Sequence, residues 1–379
     1  MDLTFTEEQE MVRKMVRDFS QNEVAPIAAE IDEKGEVPFE NIKKMAKLGL
    51  LGLTVSEEYD GGGADAVSYV IAIEELAKAC ASTAIFMAVQ NSLVCAGIEK
   101  FGTEEQKQEF LKPLARGEKI GAFALTEAGA GCDVSVLQTT AVREGDVYVI
   151  NGSKRFITNG GIADIILVFA QTDKAQRHRG ITAFIVENNL DGFSLGKEEN
   201  KMGIRGTNTQ ELNFDDMRVS VANRLSDEGQ GFKIAMTMLD AGRVGVAAQA
   251  VGIAQGAYEA ALKYSKERVQ FGKPIAQLQA IQWMLADMAT RIEAARLLTY
   301  QAALTKESGA RFTKEAAMAK LFASEMAVWV VNRAVQVHGG YGYMKEYSVE
   351  RSYRDAKITE IYEGTSEVQR MVIARSILS

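Results

Sequence analysis

Apolar residues in the first third of the chain recur at helical spacing. Val12, Met15, Val16 and Phe19 predict an amphipathic helix. Thr6-Glu7-Glu8-Gln9 just before it predicts a capping box, with the Thr6 hydroxyl accepting from a free amide and Gln9 reaching back. Pro26 and Pro38 separate that helix from a second at Phe39–Leu48. Val67–Ala81 and Thr83–Phe101 predict longer, more buried helices, and Thr103-Glu104-Glu105-Gln106 repeats the cap. Near Gly121 the period changes from helical to alternating. Thr139–Arg143 and Val147–Ile150 flank Glu144-Gly145-Asp146 as a hairpin. Ile165–Ala170, Ile181–Val186 and Glu211–Phe214 carry the β-branched and aromatic residues of further strands. From Gly229 the helical period returns. Ile281, Met284, Leu285, Met288 and Ile292 form one stripe, and Ala316, Ala317, Ala319, Ala323 and Ala327 form a segment suited to close helix approach.

These patterns predict a mainly α protein with a central β domain. The expected order is a helical domain at 1–120, an antiparallel β barrel or sandwich at 121–228, and a C-terminal four-helix bundle at 229–379. Composition agrees, with 47% hydrophobic and 25% charged residues and only 4 Pro against 33 Gly. A net charge of -8 argues against a nucleic-acid partner, which needs a basic face. Two histidines, His178 and His338, exclude metal sites built from several imidazoles, so no metal is expected. Cys80, Cys95 and Cys132 are widely spaced without a C-x-x-C, which suits a reducing cytoplasm. Residues Met1–Glu8 lack the basic and apolar regions of a secretory leader, and no apolar run suggests a membrane span.

Six segments carry candidate chemistry, and each has a plain structural reading beside it. Leu125–Asp133 is a small-residue loop open to a ligand, or a surface turn. Asn151–Asn159 puts Phe156, Ile157 and Thr158 between two strands, as a ligand platform or as core. Asp240 and Arg243 are helical neighbours suited to a salt bridge. Arg268, followed by Phe271 and Gln279, can hold a diphosphate or end a helix. Gln336–Gly342 can bring backbone against a ligand or cap its helix. Glu363, between Tyr362 and Gly364, is a candidate general base, while Thr365-Ser366-Glu367 also reads as a helix start.

In order along essentially the whole chain, these segments resemble the flavin-dependent acyl-CoA dehydrogenases, most closely the short-chain, butyryl-CoA branch. Val89–Leu93, Lys201–Gly206, Gly231–Met236 and the long run Arg354–Glu367 carry the likeness. The resemblance implies FAD and an acyl-CoA enclosed by the three domains, in a homotetramer. Phe123, Leu125 and Thr126 would line one side of the flavin ring, and Phe156, Ile157 and Thr158 the other. Phe156 stands where relatives often carry Trp. Arg268, Phe271, Gln279 and the loop Gln336, Val337, His338, Gly339 and Gly340 would hold the diphosphate and adenosine, partly from a neighbouring subunit. Thr365, Ser366 and Glu367 would complete that site. Asp240, Arg243 and Cys132 would meet the CoA moiety, with Cys132 in place of the usual Ser. Tyr362 and Gly364 would meet substrate, and Glu363 would be the base. Some relatives place the base where this chain has Gly242. The branch further implies a short acyl chain over Gln90, Asn91 and Leu93, which read equally as helix core, and electron transfer to an electron-transfer flavoprotein. An oxidase, a dehydrogenase of branched or cyclic acyl-CoA and a non-catalytic flavoprotein would share most of these residues.

Overall fold

The computed structural model describes residues 4–378. Helix Glu7–Phe19 opens with the expected capping box, closed by Gln9 N donating to Thr6 Oγ1 and Thr6 N donating to Gln9 Oε1. Val16 and Phe19 enter the core, and Val12 and Met15 pack at its edge. The cap at Thr103 starts only Glu104–Gln106, which runs on through a wide turn to Ala115.

The two buried helices differ from expectation at their junction. The break falls at Cys80, extended at φ -155°, so the helices are Ala66–Ala79 and Ala81–Phe101. The second is 21 residues long and apolar enough to cross a bilayer, contrary to the expectation of no such run. The most apolar window of this helix is 94% buried inside the fold, so its apolarity is used by the core. Its wide turn Val89–Cys95 displays Gln90 and Asn91 sideways. Gln90 Nε2 donates to the Leu114 and Lys119 carbonyls at 3.0 and 3.1 Å, and its Oε1 accepts from Gly121 N at 2.8 Å. Asn91 Nδ2 donates to the carbonyls of Leu50 and Met87. The side chains of these two amides are therefore joints between segments and not a pocket floor; of the three expected floor residues only Leu93 faces the site described below.

The central sheet has eight strands: β1 Gly121–Ala124, β2 Thr140–Glu144, β3 Val147–Thr158, β4 Ile165–Gln171, β5 Ile181–Glu187, β6 Phe193–Glu198, β7 Thr209–Ser220 and β8 Arg224–Leu225. Their order is β6-β7-β3-β2-β4-β5-β8, with β1 beside β4. The sheet is mixed rather than antiparallel throughout. β1 runs parallel to β4, with Gly121 opposite Ile165, and β2 meets β4 in parallel at Thr140 and Gln171. Alternation along a strand reports which faces are buried, not the direction of its neighbour. The hairpin at Gly145 forms as read. β3, however, continues through the segment expected to lie between strands, with register shifts between Ile150 and Gly152 and between Lys154 and Ile157. β4 is buried on both faces. Ile165, Leu167 and Phe169 join the helical core, while Ile166, Val168 and Ala170 join the core of the sheet.

Three long helices complete the fold: Gly231–Glu267, Gln279–Glu307 and Thr313–His338. A shorter helix, Ser366–Leu378, lies on the last of them, joined by Arg370 to Glu325 at 2.6 Å. The alanine segment of Thr313–His338 is fully buried, as its small side chains require. At Gly252 a Cβ would lie 2.4 Å from the Glu74 carbonyl oxygen, so Gly231–Glu267 meets Ala66–Ala79 backbone to backbone.

Gln90→Leu keeps the volume and removes the amide. The buried Gly121 amide loses its acceptor, while the Leu114 carbonyl keeps the Gly117 amide, so urea denaturation should show a loss of about 2 kcal/mol. Unchanged stability would return Gln90 to the pocket.

Candidate active site

Glu363 sits on a turn that no helix could supply. Its φ is +52° and that of Gly364 is +96°, both in the left-handed region. For a glutamate this conformation is unfavourable, so other contacts must hold it. Gln369 Nε2 donates to the Gly364 carbonyl at 2.8 Å and to the Glu363 carbonyl at 3.3 Å. Lys320, fully buried on Thr313–His338, donates to the Gly364 carbonyl at 2.7 Å.

The carboxyl group lies against Gly242 of the long helix. A Cβ there would stand 1.9 Å from Glu363 Oε2 and 3.0 Å from Leu93 Cδ2. Glycine at 242 thus makes the space that the carboxylate occupies. Oε2 is out of solvent and has no hydrogen-bond partner among the described residues. Burial pushes the Glu363 carboxyl up to about 7, held back first by the charge of Lys320 and then by that of Arg243. Burial also pushes Lys320 down to about 8, with Glu363 opposing. One turn further along the long helix, a Cβ at Gly245 would lie 2.5 Å from the buried Tyr69 hydroxyl. The Tyr362 hydroxyl donates to Gln249 Oε1. A carboxylate with one oxygen buried and unpaired and a raised pKa is a proton acceptor suited to neutral pH.

Asp240 and Arg243 form the salt bridge that helical spacing allows, at 2.5 Å. The other Asp240 oxygen accepts from Thr313 Oγ1 at 2.7 Å. Arg243 is buried, with its Nε unpaired.

A second group forms where the Thr126 loop meets β3. Arg155 N donates to the Thr126 carbonyl at 2.8 Å. Lys154, fully buried, donates to Glu127 Oε1 at 2.8 Å and to the Leu125 carbonyl at 3.1 Å. Glu127 also accepts from the backbone amides of Gln138 and Thr139. This bolt holds the Leu125–Thr126 and Phe156–Thr158 segments side by side. Phe156 is 60% exposed with a φ of +58°, an aromatic ring presented outward on a strained backbone. Phe123 is half-buried, packed on Phe169 at 4.8 Å. The Leu125 side chain is in the helical core and that of Ile157 in the sheet core, so both can offer only backbone to a ligand. Thr126 and Thr158 are half-buried, and Cys132 is an exposed thiol on the loop.

The third group is a groove of about 580 Å³ lined by Arg268, Phe271, Gln336, Val337, His338, Gly339 and Gly340. His338 shares its Nδ1 with the Ala334 carbonyl and stacks on Tyr264 at 4.3 Å; burial lowers its pKa. Phe271 is 89% exposed. Gln279 opens its helix on the surface and is not among the residues lining this groove. Thr365 Oγ1 accepts from Val368 N, so the helix-start reading of Thr365–Glu367 is realised. Ser366 Oγ is buried and unpaired, and Glu367 is exposed.

Lys154, Glu127, Lys320, Gln369, Tyr69 and Gln249 escaped the sequence reading. A polar residue within an apolar stretch, as at Lys320 and Gln249, is the only mark they carry.

The raised pKa has a consequence for stability. In the unfolded chain a glutamate titrates near 4.5, and in the fold near 7. The fold therefore favours the neutral form, and stability is lost as pH rises through about 7. Glu363→Gln should match the parent at low pH and exceed it by about 3 kcal/mol well above neutrality, read by urea denaturation. Equal stabilities at high pH would mean that the carboxylate is solvated.

Comparison with known proteins gives the family. Family models for the acyl-CoA dehydrogenase N-terminal, middle and C-terminal domains match residues 6–118, 122–217 and 229–378. The chain is 56% identical over 377 residues to the short-chain specific acyl-CoA dehydrogenase of Clostridium acetobutylicum, covering 100% of both. Butyryl-CoA dehydrogenase of Megasphaera elsdenii superposes with a TM-score of 0.99 at 51% identity over 100% of both chains. A chain from a structural study of the electron transferring flavoprotein of Acidaminococcus fermentans and flavin-based electron bifurcation gives 0.99 at 52% identity, again over 100% of both. With matches running from the first capped helix to the last, this chain belongs to the acyl-CoA dehydrogenase family and is an oxidoreductase.

Proposed function

We propose that the protein dehydrogenates a short-chain acyl-CoA, butyryl-CoA or a close relative, to the 2,3-enoyl-CoA, with FAD bound and an electron-transfer flavoprotein as acceptor. The observation that carries this reading is Glu363 Oε2, out of solvent and without a hydrogen-bond partner among the described residues, against Gly242 on a turn clamped from two sides. The carbon beside a thioester is weakly acidic, so its proton needs a base placed next to it. Glu363 takes that proton at its carboxylate. The Glu363 backbone N–H can donate to the thioester oxygen, stabilising the charge that develops there. Gly364 leaves the approach open.

The residues present suit FAD. The outward Phe156 offers an aromatic wall beside the Thr126 loop, and the Arg268 groove offers a cation, a stacking surface and glycine backbone to a diphosphate and adenosine. The unpaired Ser366 Oγ adds a hydroxyl. When bound, FAD supplies the acceptor for the hydride that leaves the β-carbon. Asp240 and Arg243 would contact the CoA moiety through what their mutual ion pair leaves free, Arg243 Nε among it. Cys132 would lie along the CoA arm. The open faces of Phe271 and Gln279 support a homotetramer in which each reaches toward the FAD site of a neighbouring subunit.

The short-chain reading is supported by the relatives' substrates and by the long helix itself. Beyond Gly242, the space along that helix is taken by Tyr69 at Gly245 and by the Tyr362–Gln249 hydrogen bond. The Acidaminococcus likeness supports the electron-transfer partner.

Anaerobic mixing with butyryl-CoA should bleach the flavin of the wild type rapidly. Glu363→Gln should bind substrate and slow bleaching by ~10²–10⁴-fold, because it keeps size but cannot accept a proton. A near wild-type rate would place the base elsewhere. A steady-state panel of thioesters should give a higher kcat/KM for butyryl-CoA than for dodecanoyl-CoA; the reverse order would reject the short-chain assignment.

A further inference from the structure

Lys320 is a charged residue of the Glu363 neighbourhood whose presence the chemistry above does not require. It lies fully buried between Ala316, Ala317, Ala319 and Ala323, where a cation is costly unless something compensates it. Its ammonium donates to a neutral group, the Gly364 carbonyl, at 2.7 Å, and it makes no close ion pair among the described residues. The charges acting on it from nearby are Glu363, Glu360 and Glu367, with Arg243 opposing.

Glu363 is faced from every side by identifiable groups. Lys320 comes from Thr313–His338, Arg243 with its partner Asp240 from the long helix, Tyr69 from Ala66–Ala79, and Tyr362 from its own turn. The two cations are not equivalent. Arg243 is neutralised by Asp240 at 2.5 Å, whereas Lys320 has only a carbonyl. Among the described residues, the cation next to the base that lacks a close carboxylate partner of its own is therefore Lys320.

We propose that Lys320 is a positioning residue for the base: it clamps the Glu363–Gly364 turn through the Gly364 carbonyl, and its charge favours the ionised Glu363 carboxylate over the neutral acid. This rests on Glu363 being the base. Gln369 shares the first task but carries no charge, so the two contributions separate.

The test follows anaerobic flavin reduction by butyryl-CoA in the FAD-loaded enzyme across the pH range in which a carboxylate base deprotonates. In Lys320→Gln, whose amide can still donate to Gly364, the rising limb should move up by about one pH unit. The rate then falls about tenfold below the wild-type limb and recovers above it. Lys320→Arg should keep the limb in place. Gln369→Leu should slow the reaction by one factor at every pH. A Lys320→Gln limb coincident with wild type overturns the proposal, as does a Gln369→Leu limb displaced equally far. Should Lys320→Gln not fold, Lys320→Arg decides alone: a limb that moves despite the retained charge overturns the proposal, and an unmoved limb supports it. Glu363→Gln in the same assay tests the underlying reading separately, since full activity there removes the base whatever Lys320 does.

Discussion

A carboxylate oxygen held out of water, with no hydrogen-bond partner among the described residues, is the constraint on which the site depends. Such a group is unfavourable in isolation. It survives because several helices and one turn surround it. Gly242 provides the space, Lys320 and Arg243 the field, and Gln369 the second clamp on a backbone that glutamate rarely adopts. Deleting the side chain at 242 matters as much as placing one at 363. The same space cannot hold both a Cβ at 242 and the Glu363 carboxylate, which accounts for a base being carried from one side only.

The sheet contributes rigidity of a different kind. Its buried Lys154–Glu127 pair ties the Thr126 loop to β3, and burial lowers Lys154 to about 8 with Glu127 opposing. Breaking one partner of such a pair leaves a charge without compensation. The loop is thereby fixed beside the outward Phe156. Polar joints do comparable work among the helices. Gln90 pins the wide turn of Ala81–Phe101 to the start of β1, and Asn91 pins it to Leu50. These residues position the site without entering it.

Much was legible locally. Both capping boxes, the Gly145 hairpin, the buried alanine segment and the Asp240–Arg243 pair depend on residues a few positions apart, and the chain places such residues together whatever the fold. Residues 361–364 could be read as a candidate base because their chemistry is compressed into four positions. The clustering of Arg268 with Gln336–Gly340 needed the likeness to a known family, since spacing does not bring residues 268 and 336 together.

What the sequence by itself determined was the order of helical, β and helical segments, their burial patterns and the identity of the acid. These follow from period and residue type. Tertiary structure alone decided which strands run parallel, which strand carries residues 151–158, and that Ile157 and Leu125 turn into cores. It also decided that Gly242 lies under Glu363 and that Lys320 lies beside it. Each of these is a contact between segments tens to more than a hundred residues apart. Its geometry depends on packing of the whole molecule, and no local period or propensity records it.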